Sequence, residues 1–228
     1  IMNKLINSLK ILRSLENDKL FLQATKLCED KSVSTYNDFV SAVYLSNAEN
    51  GLFEYVENLI LFDENPFSVA CACSTPSQRL INAFTQDVKT IYEMLLAIET
   101  TDDFSLGKDI PLFENRSAEL TVENLMRFYA KNGYGQFAKY KAFVYRNGGI
   151  APVARTSDIR LEDLKDYVEE KKAIINNVKD FLHGLPYSHT LLYGDRGTGK
   201  SSTVHAVLNE FCGEGLRLIE VSKEDLSS

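Results

Sequence analysis

The chain has 228 residues, of which 44% are hydrophobic and 25% charged, a composition typical of a folded protein with one large domain or two ordinary ones. Its 25 basic and 32 acidic side chains give a net charge of −7, which disfavours a broad nucleic-acid-binding surface. No apolar run approaches the roughly 18 residues of a membrane span, and no segment has the pattern of a signal peptide. We therefore expect a cytoplasmic protein that neither spans nor binds a membrane.

Helical periodicity dominates residues 2 to about 100, where apolar residues recur at three- and four-residue steps. The pattern predicts helices over 5–12, 20–27 and 52–62, a helix around residues 39–44 capped by Ser34 or Thr35, and a long helix over 77–98. Asn65 and Pro66 disfavour continuation of the 52–62 helix. These elements predict an all-α N-terminal domain.

Residues 99–119 are polar and read as a loop or linker, and a further helix over 121–132 is expected to end at Gly133 in a left-handed conformation. Aromatic and basic residues alternate over 134–146. Such a stretch either stacks bases and contacts phosphates or forms an amphipathic surface between domains. The negative net charge favours the second interpretation.

A domain boundary is predicted at the Gly-Gly-Ile-Ala-Pro segment over 148–152, which gives domains of residues 1–150 and 151–228. Beyond it, apolar residues from Leu161 to Leu182 predict one long helix ended by Gly184.

Residues 194–201 match the pattern G-x-x-x-x-G-K-[ST] of a phosphate-binding loop. The apolar run 190–193 before it predicts a buried strand, and 202–211 after it predicts a helix. Glycines let the backbone wrap around anionic oxygens, and the following helix adds the positive end of its dipole. The candidate nucleotide-binding residues are Gly194, Arg196, Gly197, Thr198, Gly199, Lys200, Ser201 and Ser202.

Within this loop the pattern assigns separate roles. Lys200 would stabilise the β- and γ-phosphates, and the Ser201 hydroxyl would be the metal ligand, binding the Mg²⁺ that accompanies ATP or ADP. Arg196 is left open between a phosphate, a neighbouring subunit and solvent. No residue is assigned as a catalytic acid or base. The acidic residues near the end, Glu220, Glu224 and Asp225, are expected to be surface or packing residues.

Cysteine and histidine add no second site. The four cysteines, at 28, 71, 73 and 212, have no paired framework, and we expect free thiols. The three histidines have no partner set typical of a triad or a zinc site.

The runs LLYGDRGTGKSS over 191–202 and GLRLIEVSKEDL over 215–226 resemble bacterial predicted ATPases of the AAA+ superfamily, and FAKYKAFVYR over 137–146 resembles their helical N-terminal part. The resemblance implies a fold in which an all-α N-terminal domain precedes the start of an α/β P-loop NTPase domain. It also implies an adenine pocket, for which Ile159, Leu161, Leu164 and Tyr167 are candidates; core packing is the alternative role for each.

The resemblance implies an ATPase that drives a conformational change in a macromolecular client, with a protein client or a second copy of the chain as partner. Because no Walker B carboxylate, sensor or arginine finger follows the loop within 228 residues, we expect a part of a longer protein that binds nucleotide with little turnover. The alternative is a helical interaction protein with a static or sensing nucleotide site. A small-molecule kinase or GTPase is the weaker third reading.

Overall fold

The computed structural model describes residues 6–48, 51–99 and 117–225. By its internal contacts the chain divides into two compact units, Ile1–Gly135 and Gln136–Ser228. The first unit is helical, as the sequence predicts, and the second adds a small mixed sheet to its helices. The domain limit near residue 150 stays a prediction.

Six α-helices make up the described part of the first unit. They are α1 (Lys19–Glu29), α2 (Val33–Leu45), α3 (Leu52–Leu61), α4 (Pro66–Cys73), α5 (Gln78–Glu99) and α6 (Ala118–Asn132). Two 3-10 helices, Ile6–Ser8 and Arg13–Asn17, precede them. Most of the predicted linker over 99–119 lies outside the described residues, but α6 begins at Ala118, three residues before its expected start.

Short polar side chains fix where these helices begin. Asp18 accepts the Phe21 N–H at the start of α1, and Ser117 does the same for Leu120 at the start of α6. The cap of α2 is Ser32, so the prediction of Ser34 or Thr35 was wrong: both lie inside the first turn. Pro66 is the first residue of α4. Proline suits this position because the first N–H groups of a helix have no partner inside it, and proline has no N–H.

Aromatic rings fill the core of the first unit. Phe67 of α4 and Phe84 of α5 are stacked with centroids 3.9 Å apart, and Tyr129 of α6 meets Phe67 edge-on at 6.4 Å. All three rings are fully buried, and each contributes about 2–3 kcal/mol by leaving water. The Tyr129 hydroxyl donates to the Ile60 carbonyl at 2.9 Å, and burial raises the pKa of this phenol. The core therefore joins α3, α4, α5 and α6.

The chain before α1 is not the helix that the periodicity of residues 5–12 predicts. Leu5 lies outside the described residues, and a 3-10 turn over Ile6–Ser8 is followed by non-helical backbone. The N–H groups of Lys10, Ile11 and Leu12 all donate to the Asp87 carboxylate, at 2.7–3.1 Å. Donating to this carboxylate replaces the helical bonds that these groups would otherwise make, which is why the helix prediction failed here.

The second unit contains α7 (Gly135–Lys139), β1 (Ala142–Arg146), β2 (Gly149–Pro152), α8 (Val168–Leu182), α9 (Lys200–Phe211) and β3 (Leu218–Val221). The strand order is β2-β1-β3: β1 pairs antiparallel with β2 and parallel with β3, with Ala142 opposite Leu218. The strand that follows the phosphate-loop helix along the chain is β3, which pairs with β1.

Two features of this unit differ from the sequence prediction. Residues 142–152 form a β-hairpin, whose turn has positive φ at Asn147 (52°) and Gly148 (75°), the arrangement that Asn-Gly favours. The helix expected from Leu161 begins only at Val168. It is preceded by the 3-10 helix Leu161–Asp163 and by Tyr167, whose φ of 59° is left-handed and ends any helix entering from before it.

The aromatic stretch over 134–146 contributes to both units: Tyr134 packs against the core of the first, and later residues enter the interior of the second. Phe143 of β1 is fully buried and packs on Phe137 with centroids 4.9 Å apart.

All four cysteines are free thiols, as predicted, and burial raises the pKa of the Cys28 and Cys71 thiols to about 11. Among the described helices, none combines the length and the apolar character that crossing a membrane requires.

Replacing Asp87 with Asn should destabilise the first unit by about 3 kcal/mol, because a buried carboxylate that accepts three backbone N–H groups would be replaced by a neutral amide whose NH₂ opposes them. Asp87 is only 1% exposed, so water cannot substitute. Urea unfolding followed by circular dichroism measures the change.

The matched control is Glu93→Gln, which makes the same acid-to-amide change at an exposed position of α5. It should alter the unfolding free energy by less than about 0.5 kcal/mol. Equal effects of the two variants would contradict the role given to Asp87.

Candidate phosphate-binding site

Helix α9 begins directly at the phosphate-loop sequence. Its N-cap is Gly199, with φ 81° and ψ 13°, and no side chain caps the helix. The first N–H groups of an α-helix have no partner inside the helix, and the helix dipole adds positive potential at that end. The first turn of α9 therefore presents backbone donors to an external acceptor, and Gly199 reaches the required left-handed conformation without a Cβ penalty.

The Lys200 ammonium is held inside the loop. Its Nζ donates to the carbonyl oxygens of Gly194 at 2.9 Å and Asp195 at 2.7 Å, and lies 3.3 Å from Thr198 Oγ1. The Thr198 hydroxyl in turn donates to the Asp195 carbonyl at 2.9 Å. Oxygen atoms of the loop thus surround the Lys200 ammonium. All the acceptors are neutral, so the positive charge of Lys200 is not cancelled by these contacts.

A cavity of about 680 Å³ opens beside this loop. Its volume falls within the range of small-molecule sites, about 300–1,000 Å³. Three kinds of group line it: loop residues, one face of α8, and the segment before the loop. The lining includes Tyr167, Lys171, Ile174, Gly194, Thr198 and Lys200.

The α8 side of the cavity brings an aromatic ring and a second cation to the loop. Tyr167, Lys171 and Ile174 lie four and three residues apart, so they share one face of the helix start. Tyr167 is 55% exposed, and Lys171 Nζ donates to the Leu164 carbonyl. Lys171 is not among the site residues predicted from the sequence, although its helical spacing from Tyr167 would have indicated it.

The predicted nucleotide residues divide between the cavity and its surroundings. Gly194, Thr198 and Lys200 line the cavity, whereas Arg196, Gly197, Gly199, Ser201 and Ser202 lie outside its lining. Arg196 and Ser201 are exposed, and Ser202 is half-buried.

The four adenine-pocket candidates are also separated. Tyr167 alone of the four lines the cavity. Ile159, Leu161 and Leu164 are half-buried, and the 3-10 helix that starts at Leu161 contacts α9 instead.

The segment 190–193 is not the buried strand that its apolar sequence predicts. No strand is assigned there, and Leu191 and Tyr193 are 82% and 87% exposed. The described sheet contains only β2, β1 and β3, so this segment has no neighbouring strand in it. Extended backbone becomes a strand only when a partner supplies the ladder hydrogen bonds, and apolar sequence alone does not provide them.

Protein groups alone do not form a metal site in the described part of the chain, since no three His, Cys, Asp or Glu side chains come together there. The Ser201 hydroxyl, exposed in the first turn of α9, offers one oxygen ligand. Mg²⁺ usually keeps several waters and takes one or two protein ligands together with phosphate oxygens. This arrangement fits a metal that arrives with a phosphate ligand.

A larger groove, of about 840 Å³, lies in the first unit between α3 and α6. Its lining includes Glu54, Glu57, Leu120 and Phe128, with no basic side chain among its lining residues. The smaller cavity is also lined by two acidic residues, Glu170 and Asp195, but Lys171 and Lys200 balance their charge. Because unbalanced negative charge repels phosphate, the smaller cavity is the candidate site.

The family described as "Protein of unknown function (DUF815)" matches residues 138–228. The matched range includes β1, the phosphate loop, α9 and β3. No curated protein and no solved structure matches the chain.

Replacing Gly199 with Ala should destabilise the second unit by about 1 kcal/mol, because an L-residue at φ 81° is strained. No atom lies within 4 Å of the added Cβ, so strain and not a clash causes the loss. Urea unfolding measures it.

Gly213→Ala is the matched control. A Cβ at Gly213 also meets no atom within 4 Å, and its φ is not in the left-handed range. Its unfolding free energy should stay within about 0.5 kcal/mol of the wild type. A neutral Gly199→Ala variant would show that the loop does not require the left-handed cap.

Proposed function

We propose that the second unit binds the phosphates of ATP or ADP at the loop over 194–202. The observation that carries this proposal is the Lys200 ammonium held by the Gly194 and Asp195 carbonyls at the uncapped start of α9. A fixed cation and unpartnered helical N–H groups converge there. Phosphate oxygens accept from both kinds of donor, and at Lys200 a phosphate would replace one of the three neutral acceptors that its ammonium now has. Binding at a helix N-terminus is favoured by the dipole as well.

The base of the nucleotide is proposed to lie toward Tyr167. The Tyr167 ring and the Lys200 ammonium line one cavity, and an exposed aromatic ring provides a stacking surface for a purine. Ile159, Leu161 and Leu164 remain candidates through the resemblance to AAA+ ATPases. They would need to approach the cavity from the segment that precedes Tyr167.

Mg²⁺ is proposed to bind with the nucleotide. Ser201 would hold it by its hydroxyl, and the phosphates and water would provide the remaining ligands. The metal would neutralise phosphate charge that Lys200 alone does not balance, given the −7 net charge of the chain.

We further propose that the fold of the second unit is the start of an AAA+-like P-loop NTPase domain. A longer protein containing this sequence would then hydrolyse ATP and drive a conformational change in a macromolecular client or in an assembly of its own copies. Support comes from the loop motif, α9 and β3 in that order along the chain, and from the resemblance of 191–202 and 215–226 to such ATPases.

Lys200→Ala should weaken MgATP binding roughly 100-fold, because it removes a charged donor that contributes about two to three kcal/mol. Isothermal titration calorimetry measures the affinities. The helical content should be retained, since Lys200 is the first residue of α9 and Ala is a good helix former.

Lys172→Ala is the control for charge and size. Lys172 lies on α8 next to Lys171, but it is exposed and does not line the cavity. Its removal should change MgATP affinity less than about twofold, the range expected for a distant exposed charge. Unchanged affinity in a folded Lys200→Ala protein would rule out the proposed site.

Phosphate release distinguishes an ATPase from a static nucleotide site. The 228-residue chain should bind MgATP yet release phosphate at a rate no different in wild type and Lys200→Ala, because phosphoryl transfer also needs a carboxylate that fixes Mg²⁺ and a group that orients water. A coupled phosphate assay measures the rates. Turnover that depends on Lys200 would show that a carboxylate within these residues completes the site.

A further inference from the structure

Asn209 of α9 connects three separate parts of the second unit. Its Nδ2 donates to the Ser157 and Ile159 carbonyls, each at 2.8 Å, and its Oδ1 accepts from Lys141 Nζ at 2.7 Å. Both amide hydrogens and the amide oxygen are thus engaged, so the orientation of this side chain is fixed. Through Asn209, the chain at 157–159 is attached to the helix that begins with Lys200.

The chain between Ile159 and Tyr167 is held by further local bonds. The Arg160 N–H donates to Asp163 Oδ2 at 2.7 Å, and the Leu164 N–H donates to the Leu161 carbonyl at 3.3 Å. Lys171 Nζ then donates to the Leu164 carbonyl. We call residues 157–167 the strap. The strap is therefore anchored at its start by Asn209 and at Leu164 by Lys171, and it ends at Tyr167, whose ring lines the cavity.

Helix α9 carries both the lysine of the phosphate loop and the residue that anchors the strap. Lys200 is its first residue, and Asn209 lies nine residues later, about 13 Å along the axis at 1.5 Å per residue. A helix of this length is stiff, so it fixes the start of the strap relative to the phosphate loop. Asn209 itself does not line the cavity. It therefore affects a ligand indirectly, and its two bonds to the strap are the contacts that lead toward the cavity.

We propose that Asn209 is a positioning residue that holds the strap so that Tyr167 meets the base of a purine nucleotide bound at Lys200. This inference rests on the proposed nucleotide site. It assigns the discrimination between a nucleotide and a bare polyphosphate to the Asn209–strap contact, and phosphate affinity to the loop.

Asn209→Asp tests this assignment without removing the Lys141 contact. The carboxylate still accepts from Lys141 Nζ, but it cannot donate to the Ser157 and Ile159 carbonyls and places negative charge against them. Asn209→Ala, which removes both contacts, is the second variant. Asn176→Ala, at an exposed position of α8 outside the cavity lining, is the matched control.

The measurement is calorimetric affinity for two probes with Mg²⁺, ATP and inorganic tripolyphosphate, which has no base. In the wild type ATP should bind more tightly. In Asn209→Asp the ratio of the two affinities should fall at least about fivefold, the size of one base–aromatic stack, with tripolyphosphate affinity unchanged within about twofold. Asn176→Ala should keep the wild-type ratio.

Tyr167→Ala provides the coupling test. It should lower the same ratio by a similar factor, and the Asn209→Asp/Tyr167→Ala double variant should be no worse than either single variant, because both act on one contact. Additive losses would overturn the proposal, since they would mean that Asn209 acts elsewhere.

The remaining outcomes are also decisive. An unchanged ratio in Asn209→Asp, or equal losses for ATP and tripolyphosphate, would overturn the positioning role while leaving the phosphate site intact. Equal wild-type affinities for the two probes would overturn it as well. A wild type that binds neither probe would instead overturn the proposed function.

Discussion

The burial of the C-terminal half of α9 is the constraint on which the second unit depends. Ala206, Val207, Leu208 and Phe211 are buried, whereas the first turn of the helix remains accessible. Because these buried side chains hold the helix, its N-terminal N–H groups and Lys200 have a fixed direction. The same helix orients Asn209 and hence the strap. The proposed phosphate binding and base positioning would therefore both depend on packing at the C-terminal end of a single helix.

Irregular backbone in both units is stabilised by single polar side chains. Asp87 accepts three successive N–H groups in the first unit, and Asn209 donates to two carbonyls in the second. Arg217 donates to the carbonyls of Phe137, Cys212 and Leu216 at 2.7–3.0 Å, and burial lowers its pKa. Buried backbone groups need partners, and one side chain with several donors or acceptors supplies them where no helix or strand can.

The sequence predicted those elements whose information is local. The long helix expected over 77–98 is α5, and the helix expected after the loop is α9, because apolar periodicity and the glycine-lysine pattern both lie within a few residues. The free thiols followed from cysteine spacing. Contacts between distant residues explain the errors. No periodic pattern in the sequence indicates that Lys10–Leu12 donate to Asp87 or that Tyr167 is left-handed. The exposure of residues 190–193 depends on which strands neighbour this segment, and the sequence does not show that.

The parallel pairing of β1 with β3 bears on how the second unit folds. The β1–β2 hairpin closes over two turn residues, so it can form as soon as Pro152 has left the ribosome. Its other neighbour, β3, lies beyond the strap, α8, the phosphate loop and α9. Such a long loop is slow to close, and β1 keeps an open edge until then. During synthesis the phosphate loop would thus emerge before the sheet is complete, and the edge of β1 that β3 later covers would stay unpaired in the meantime.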